Sequence, residues 1–223
     1  MLSRKIIFAL IFGVILIAAA FLLFFEHGRV QREVRTFPVM GTIANLDLYD
    51  NSPEMLRRAA DEAQNAIRTI ESMCNIYDEK SELSRLNAAA YQASVRCSDD
   101  LWEILLLARK YYDLSEGGFD ITVKPLMALW GFHRKRCTLP DQKEIDKAMK
   151  KVGLKKVIFD DKNKTVRFSV DGIGLDLGGI AKGYALDKAR DAVLKNGVNI
   201  GVIDLGGNLI CLPKPIPEVG RDH

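Results

Sequence analysis

The chain has 223 residues, of which 48% are hydrophobic and 27% charged, and its formal net charge is +3. This balance is typical of a globular protein and excludes a disordered chain, while 17 glycines and 7 prolines are too few for a fibrous protein. Four cysteines are too few for a disulfide scaffold, and the slight net charge gives no indication of nucleic-acid binding. The length permits one domain or two small ones.

The N-terminal region is expected to lie outside the folded domain. An uninterrupted apolar run extends from Ile6 to Phe25, and a helix of that length spans about 30 Å, the thickness of a bilayer core. Arg4 and Lys5 precede the run, which predicts a cytoplasmic N-terminus and places the rest of the chain outside. We therefore interpret residues 1–30 as a membrane anchor.

Two other interpretations of the apolar run stay open. The alanines at 18–20 could form the cleavage site of a signal peptide. Against this, residues 21–25 are still strongly apolar, and no polar stretch separates them from the alanines. The third interpretation is a buried helix of a soluble protein. Arg29 and Arg32 follow the run and weaken the charge bias that sets its orientation.

The first part of the soluble chain is predicted to be mostly helical after an initial strand pair. Apolar alternation predicts the strands, and helical spacing with Ser, Pro and Asp at the starts predicts the helices. The predicted elements are strands at 33–40 and 43–49 and helices at 52–73, from 98 to near Gly117–Gly118, at 122–130 and at 140–151. Residues 75–90 are expected to be mostly loop, with Ser81 capping a short turn, and Pro125 is expected to interrupt the helix at 122–130.

The second part is predicted to be richer in strands. The predicted elements are strands at 156–159, 165–169, 173–177, 200–204 and 208–212 and a helix at 180–195. Runs of helix followed by runs of meandering strand indicate the α+β class rather than a doubly wound α/β sheet. The domain is therefore predicted over residues 31–212, and the proline-rich residues 213–223 form an irregular tail.

The most informative segment is Asp-Leu-Gly-Gly-Ile-Ala-Lys-Gly-Tyr-Ala-Leu-Asp at 176–187, which reads as strand, turn and helix. Two glycines let the backbone approach a ligand closely, and the first N–H groups of the helix together with Lys182 favour an anion. The pattern matches neither the P-loop nor the dinucleotide motif G-x-G-x-x-G. Considered alone, such a Gly-Gly turn is more often a packing turn than a phosphate site.

Three other glycine segments have equally plain structural explanations when each is considered alone. Gly206–Gly207 reads as a buried turn between strands. Asp120, directly after two glycines and Phe119, reads as an ordinary helix N-cap. Met40–Gly41 reads as a hairpin turn.

The order and spacing of these segments together are far more specific. In chain order they are Val-Met-Gly-Thr at 39–42, Ile-Tyr-Asp at 76–78 with Ser-Glu-Leu-Ser-Arg-Leu-Asn at 81–87, Gly-Phe-Asp-Ile-Thr-Val-Lys-Pro-Leu at 118–126, the segment at 176–187, and Asp-Leu-Gly-Gly-Asn at 204–208. This series resembles the ApbE family. The resemblance covers the chain from residue 34 to about residue 212.

The resemblance implies an ApbE-like α+β fold and the activity of an FAD:protein FMN transferase. In that reaction Mg²⁺ bridges the pyrophosphate of FAD, a Ser or Thr hydroxyl of an acceptor protein attacks the FMN-side phosphorus, and AMP leaves. The implied acceptors are subunits of redox-driven sodium pumps and other electron-transfer proteins. The family acts mainly outside the bacterial plasma membrane, which agrees with the exported orientation expected from the apolar run.

The resemblance also implies a set of site residues. Those expected to contact FAD are Met40 and Tyr77 on the flavin side, Gly118, Phe119 and Asp120 on the adenosine side, and Asp176 and Lys182 in the glycine-rich segment. Gly179 is expected to offer its backbone oxygen to the metal. Transfer of a phosphoryl-type group needs positioning and charge neutralisation more than covalent catalysis by the protein, which suits these residue types.

The end of the chain departs from the family pattern. Family members continue past the segment at 204–208 with residues that complete the metal shell and act near the acceptor, and residues 213–223 offer no equivalent. The acceptor-side catalytic residues are therefore expected beyond His223, the chain is expected to be truncated at its C-terminus, and alone it is expected to be unstable or inactive. The alternatives are a membrane-anchored FAD-binding protein without transferase activity and a nonfunctional truncated product.

Overall fold

The computed structural model describes residues 30–132 and 138–216. The predicted membrane segment at 6–25 and most of the predicted tail at 213–223 lie outside these residues. Within residues 30–132 and 138–216, no helix has both the length and the apolar character needed to cross a membrane.

A four-stranded antiparallel sheet is built from two hairpins distant in sequence. The first hairpin pairs β1 (Gln31–Val39) with β2 (Thr42–Asp50), and the second pairs β6 (Ile200–Leu205) with β7 (Asn208–Cys211). β2 and β6 join the hairpins, so the strand order is β1-β2-β6-β7. The sequence-based strands in these regions are confirmed to within about two residues, which is the usual uncertainty of element ends.

Two long helices, α1 (Pro53–Cys74) and α6 (Ala181–Lys195), pack against each other and against this sheet. α1 buries residues at helical spacing, among them Leu56, Ile67 and Ile70, because its apolar positions recur every three or four residues. Small side chains such as Ala63 and Ala189 are fully buried and let the two helices approach closely. The core therefore lies between the helix pair and the inner face of the sheet.

The rest of the described chain forms smaller elements around the helix pair. In chain order they are α2 (Glu82–Ala89), β3 (Val95–Arg96), α3 (Asp99–Leu114), a 3-10 turn (Ile121–Val123), α4 (Lys124–Leu129), α5 (Gln142–Met149), a 3-10 turn (Leu154–Lys156), β4 (Val157–Asp160) and β5 (Thr165–Phe168). The three short strands form a second antiparallel sheet in the order β3-β5-β4. The helices and the two separate antiparallel sheets confirm the α+β class.

Two helix predictions are corrected by the structure. The predicted cap at Ser81 is confirmed, since its side chain accepts a hydrogen bond from the N–H of Ser84 at 3.0 Å. What it begins is the eight-residue helix α2, longer than the predicted short turn, which buries Leu83 and Leu86 and makes half of residues 75–90 helical. Pro125 does not interrupt a helix. It lies in the first turn of α4, where proline's missing N–H would have no partner in any case.

The predicted strand at 173–177 is also wrong, although the segment is buried. Leu175 donates its N–H to the side-chain oxygen of Asn87 at 2.7 Å and accepts from the Asn87 amide at 2.9 Å. The N–H of Asp176 donates to the carbonyl of Ile121 at 2.8 Å. One amide side chain and one turn carbonyl thus satisfy backbone groups that a neighbouring strand would otherwise pair.

Candidate functional site

The centre of the site is the turn that leads into α6. The Asp176 carboxylate accepts a hydrogen bond from the N–H of Gly178 at 2.8 Å. The N–H groups of Ile180 and Ala181 both donate to the carbonyl of Leu177, at 2.9 and 2.8 Å. These bonds fix the two glycines of the turn, both of which are exposed, at the start of the helix.

The N-terminus of α6 differs from most helix starts in this protein. α1, α2, α3 and α5 each begin with a capping side chain and carry an acidic residue in the first turn. The N-cap residue of α6 is Ile180, which offers no side-chain cap, and α6 has no acidic residue in its first turn. The positive end of the helix dipole therefore remains available to an anion.

Lys182 adds a full positive charge to this helix start. Its side chain is partly buried, and it forms no ion pair with an acidic residue of the described chain. The turn, the helix dipole and this ammonium group together suit a phosphate or pyrophosphate group.

A cavity of about 500 Å³ opens beside the turn and brings together four residues that the sequence assigned to one site. Met40 comes from the β1–β2 turn and Tyr77 from the loop after α1, while Asp176 and Lys182 flank the Gly-Gly turn. Tyr77 is 68% exposed, so its ring is accessible to a ligand. Four residues spread over more than half of the chain thus line the same space.

Two neighbouring cavities continue along the same turn. The second cavity, of about 490 Å³, is lined by Tyr111, Phe119 and Gly179. The third, of about 390 Å³, has Gly179 in common with the second cavity and Lys182 in common with the first. A Cβ atom on Gly179 would lie 3.2 Å from the Phe119 ring, so glycine allows this close approach. Because the third cavity shares lining residues with each of the other two, we treat the three together as one cleft.

Asp120 and Gly118 stand beside the cleft in structural roles. The Asp120 carboxylate accepts hydrogen bonds from the N–H and hydroxyl of Thr122, at 2.8 and 2.6 Å, and from the N–H of Leu154 at 3.2 Å. This confirms Asp120 as the N-cap of the following turn. A Cβ atom on Gly118 would lie 3.1 Å from the carbonyl of Ser115. Direct contact of either residue with FAD stays a prediction.

A titratable network fixes α6 against α3. The Tyr184 hydroxyl donates to Glu103 at 2.7 Å, and Lys188 donates to the same carboxylate at 2.7 Å. Burial and the bond to Glu103 raise the pKa of Tyr184, while the bonds from Lys188 and Tyr184 lower the pKa of Glu103. The network therefore keeps a neutral phenol and a charged carboxylate at neutral pH and holds the helix start in place.

Among the described residues, the cavity offers neither an activated thiol nor a cluster of metal-binding side chains. Burial raises the pKa of Cys74 to about 12, so its thiol is protonated at neutral pH and is not an activated nucleophile. Among the residues that the structure describes, no group of three or more His, Cys, Asp or Glu side chains could hold a metal ion. The Gly179 backbone oxygen as a metal ligand stays a prediction.

Three residues of the site region were not singled out as site residues by the sequence. Glu71 lines the first cavity, Tyr111 lines the other two, and Asn87 holds the segment that leads to Asp176. Only Asn87 carried a signal, because it ends the quoted segment at 81–87. Glu71 and Tyr111 lie on long amphipathic helices where neither spacing nor residue type distinguishes them from exposed neighbours.

Comparison with known proteins gives consistent matches. The chain is 28% identical over 173 residues to a protein of Klebsiella pneumoniae named FAD:protein FMN transferase, covering 77% of this chain and 53% of that protein. The structure of an ApbE protein from Thermotoga maritima matches with a TM-score of 0.74 and 32% identity, over 81% of this chain and 59% of that one. The flavin transferase ApbE from Vibrio cholerae shares the fold, with a TM-score of 0.76 at 23% identity, over 82% of this chain and 60% of that one.

The chain spans about half the length of the curated relatives it matches. The family model of the ApbE family matches residues 40–218, which include every segment of the cleft described above. On this match, the chain belongs to the ApbE family.

Proposed function

We propose that the cleft binds FAD and that the protein transfers FMN from FAD to a Ser or Thr hydroxyl of an acceptor protein, with release of AMP. The observation that carries the proposal is the convergence of Met40, Tyr77, Asp176 and Lys182 on one cavity at the start of α6. Relatives named FAD:protein FMN transferase support the reaction.

The pyrophosphate is assigned to the turn at Gly178–Gly179. There, the positive end of α6 and the Lys182 ammonium group stabilise the charge of the phosphate oxygens. The acceptor oxygen forms a bond to the FMN-side phosphorus, the bond from that phosphorus to the bridging oxygen breaks, and AMP departs with that oxygen. The hydroxyl proton passes to solvent water. Positive groups preorganised at this turn lower the barrier because charge on the leaving phosphate grows in the transition state.

The two ends of FAD are assigned to the two ends of the cleft. Met40 and the exposed Tyr77 ring provide apolar and aromatic surface for the flavin. Tyr111 and Phe119 lie edge to face, with ring centroids 6.4 Å apart, beside Gly179 and provide an aromatic surface for the adenine. The pyrophosphate then lies between these two aromatic regions, next to the ammonium group of Lys182.

We also propose that FAD binding and FMN transfer depend on Mg²⁺, and this dependence is tested separately. The described residues offer one predicted ligand, the backbone oxygen of Gly179, and no cluster of three ligand side chains. This set does not complete a Mg²⁺ shell, which needs about six oxygen ligands, so we derive no step through the metal. Titration of FAD with and without Mg²⁺ measures the dependence, and equal affinity in both conditions contradicts it.

FAD binding is tested by replacing the lysine at the turn. The full chain, purified in detergent, is titrated with FAD and compared with Lys182→Met. Loss of one charge-assisted phosphate contact weakens binding by about tenfold or more. Lys195→Met is the matched control, because Lys195 is exposed in the last turn of the same helix. Equal FAD affinity of both variants and the wild type contradicts the assignment of the pyrophosphate.

Transfer is tested by incubating the full chain with FAD, Mg²⁺ and an acceptor protein. Covalent flavin fluorescence on the acceptor after denaturing electrophoresis, with one AMP released per flavin attached, supports the transferase. FAD binding without AMP release supports instead a membrane-anchored FAD-binding protein.

The location and the acceptor are further proposals. We assign residues 6–25 as an anchor in the bacterial plasma membrane, with the cleft on the extracytoplasmic side, on the strength of the apolar run and the preceding Arg4 and Lys5. The acceptors proposed are redox-driven sodium-pump or electron-transfer subunits exposed on that side. Protease added to intact spheroplasts is expected to digest the domain, and full protection contradicts the orientation.

A further inference from the structure

The β1–β2 turn has a backbone conformation that its residues do not favour. Met40 and Gly41 form a two-residue hairpin loop, and φ is positive at both, +50° and +69°. Such loops prefer Asn-Gly or Asp-Gly, because other side chains are strained at positive φ. A methionine at the first position is therefore held there by its surroundings.

Glu71 is the group that holds this turn. Its carboxylate accepts a hydrogen bond from the backbone N–H of Met40 across 31 positions of sequence. Glu71 lies in the last turn of α1, a 22-residue helix that packs against both strands of the hairpin. A carboxylate acceptor makes this a charge-assisted bond, which is stronger than one between neutral groups.

Glu71 and Met40 line the same cavity as Tyr77 and Lys182. The conformation of Met40 sets where its side chain lies in that cavity, so the hydrogen bond from the Met40 N–H to Glu71 controls the shape of the cavity at this end. We propose that Glu71 is a positioning residue that fixes the Met40 turn for the flavin end of FAD. This inference rests on the proposed function, in which Met40 contacts the flavin.

The test compares three variants of the full chain. Glu71→Ala removes the acceptor, Glu71→Asp keeps the charge but shortens the side chain by one methylene, and Glu71→Gln keeps an acceptor oxygen at the same reach. Glu62→Ala is the control, because Glu62 is exposed on the same helix and bonds only Asn196 among the described residues.

Two measurements are made on each variant. Amide hydrogen exchange of Met40 reports the bond without any ligand, and binding constants for FAD, FMN and ADP report the two ends of the cleft. We expect faster Met40 exchange and about tenfold weaker FAD and FMN binding in Glu71→Ala and Glu71→Asp, with ADP binding changed by less than about twofold. Glu62→Ala is expected to resemble the wild type, and Glu71→Gln is expected to lie between the wild type and Glu71→Ala, because it keeps an acceptor oxygen but loses the charge.

The outcomes separate the inference from the proposed function. An equal loss of FAD, FMN and ADP affinity in Glu71→Ala means a general structural role and overturns the inference. Unchanged FAD affinity and Met40 exchange in that variant overturn it as well, while leaving the proposed function standing. Absence of FAD binding by the wild type contradicts the proposed function and the role of Glu71 together.

Discussion

Asn87 tests how the segment that leads to Asp176 is fixed, because its side chain makes the backbone hydrogen bonds that a neighbouring strand would otherwise make. Its amide makes two hydrogen bonds to the backbone of Leu175, at 2.7 and 2.9 Å, and Leu175 is fully buried. Asn87→Ala leaves a buried N–H and a buried carbonyl without partners. Each unsatisfied group costs about 1–3 kcal/mol, so the two together lower the free energy of unfolding by roughly 2–6 kcal/mol.

The variant is measured by urea denaturation followed by circular dichroism and by FAD titration. Asn87→Asp should be destabilised as well at neutral pH, because one carboxylate oxygen then faces the carbonyl of Leu175. Asn65→Ala is the control, since Asn65 is exposed on α1, and it should change stability by less than about 0.5 kcal/mol. FAD affinity should fall in Asn87→Ala because the segment it holds ends at Asp176. Stability of Asn87→Ala within about 0.5 kcal/mol of the wild type refutes this reasoning.

Three further predictions concern α6 and its surroundings. Gly179→Ala places a Cβ 3.2 Å from Phe119 and should weaken FAD binding, by roughly 1 kcal/mol in a titration. Gly183→Ala meets open space in a helix and should raise the free energy of unfolding by about 0.5–1 kcal/mol. The bond from Lys188 lowers the pKa of Glu103 from its ordinary value, so the wild type should lose stability as the pH falls through that lowered pKa. Glu103→Gln should flatten this part of the pH–stability profile.

The sequence predicts the parts of the fold that have local periodicity. The two hairpins and α1 follow from alternation and helical spacing. Gly206–Gly207 lies in the β6–β7 turn as expected, but this turn is exposed and not buried as predicted. The error at 173–177 has a non-local cause, because its backbone partner is the side chain of a residue 88 positions earlier. β3 is only two residues long, which is too short for any alternation to indicate it.

The site was predictable where short segments carried backbone constraints. Met40, Tyr77, Asp176 and Lys182 come together as the family resemblance implies. Glu71 could not be found in this way, because its role depends on the position of the β1–β2 turn relative to the end of α1. Nothing in the sequence distinguishes it from Glu62, which faces solvent on the same helix.

A crystal structure of the full chain bound to FAD tests the central claim most directly. We expect the pyrophosphate oxygens within hydrogen-bond distance of first-turn N–H groups of α6 other than that of Ala181, and of the Lys182 ammonium group, with the flavin beside Met40. A pyrophosphate bound elsewhere, for example in the polar cavity beside Arg96 and Lys162, contradicts it.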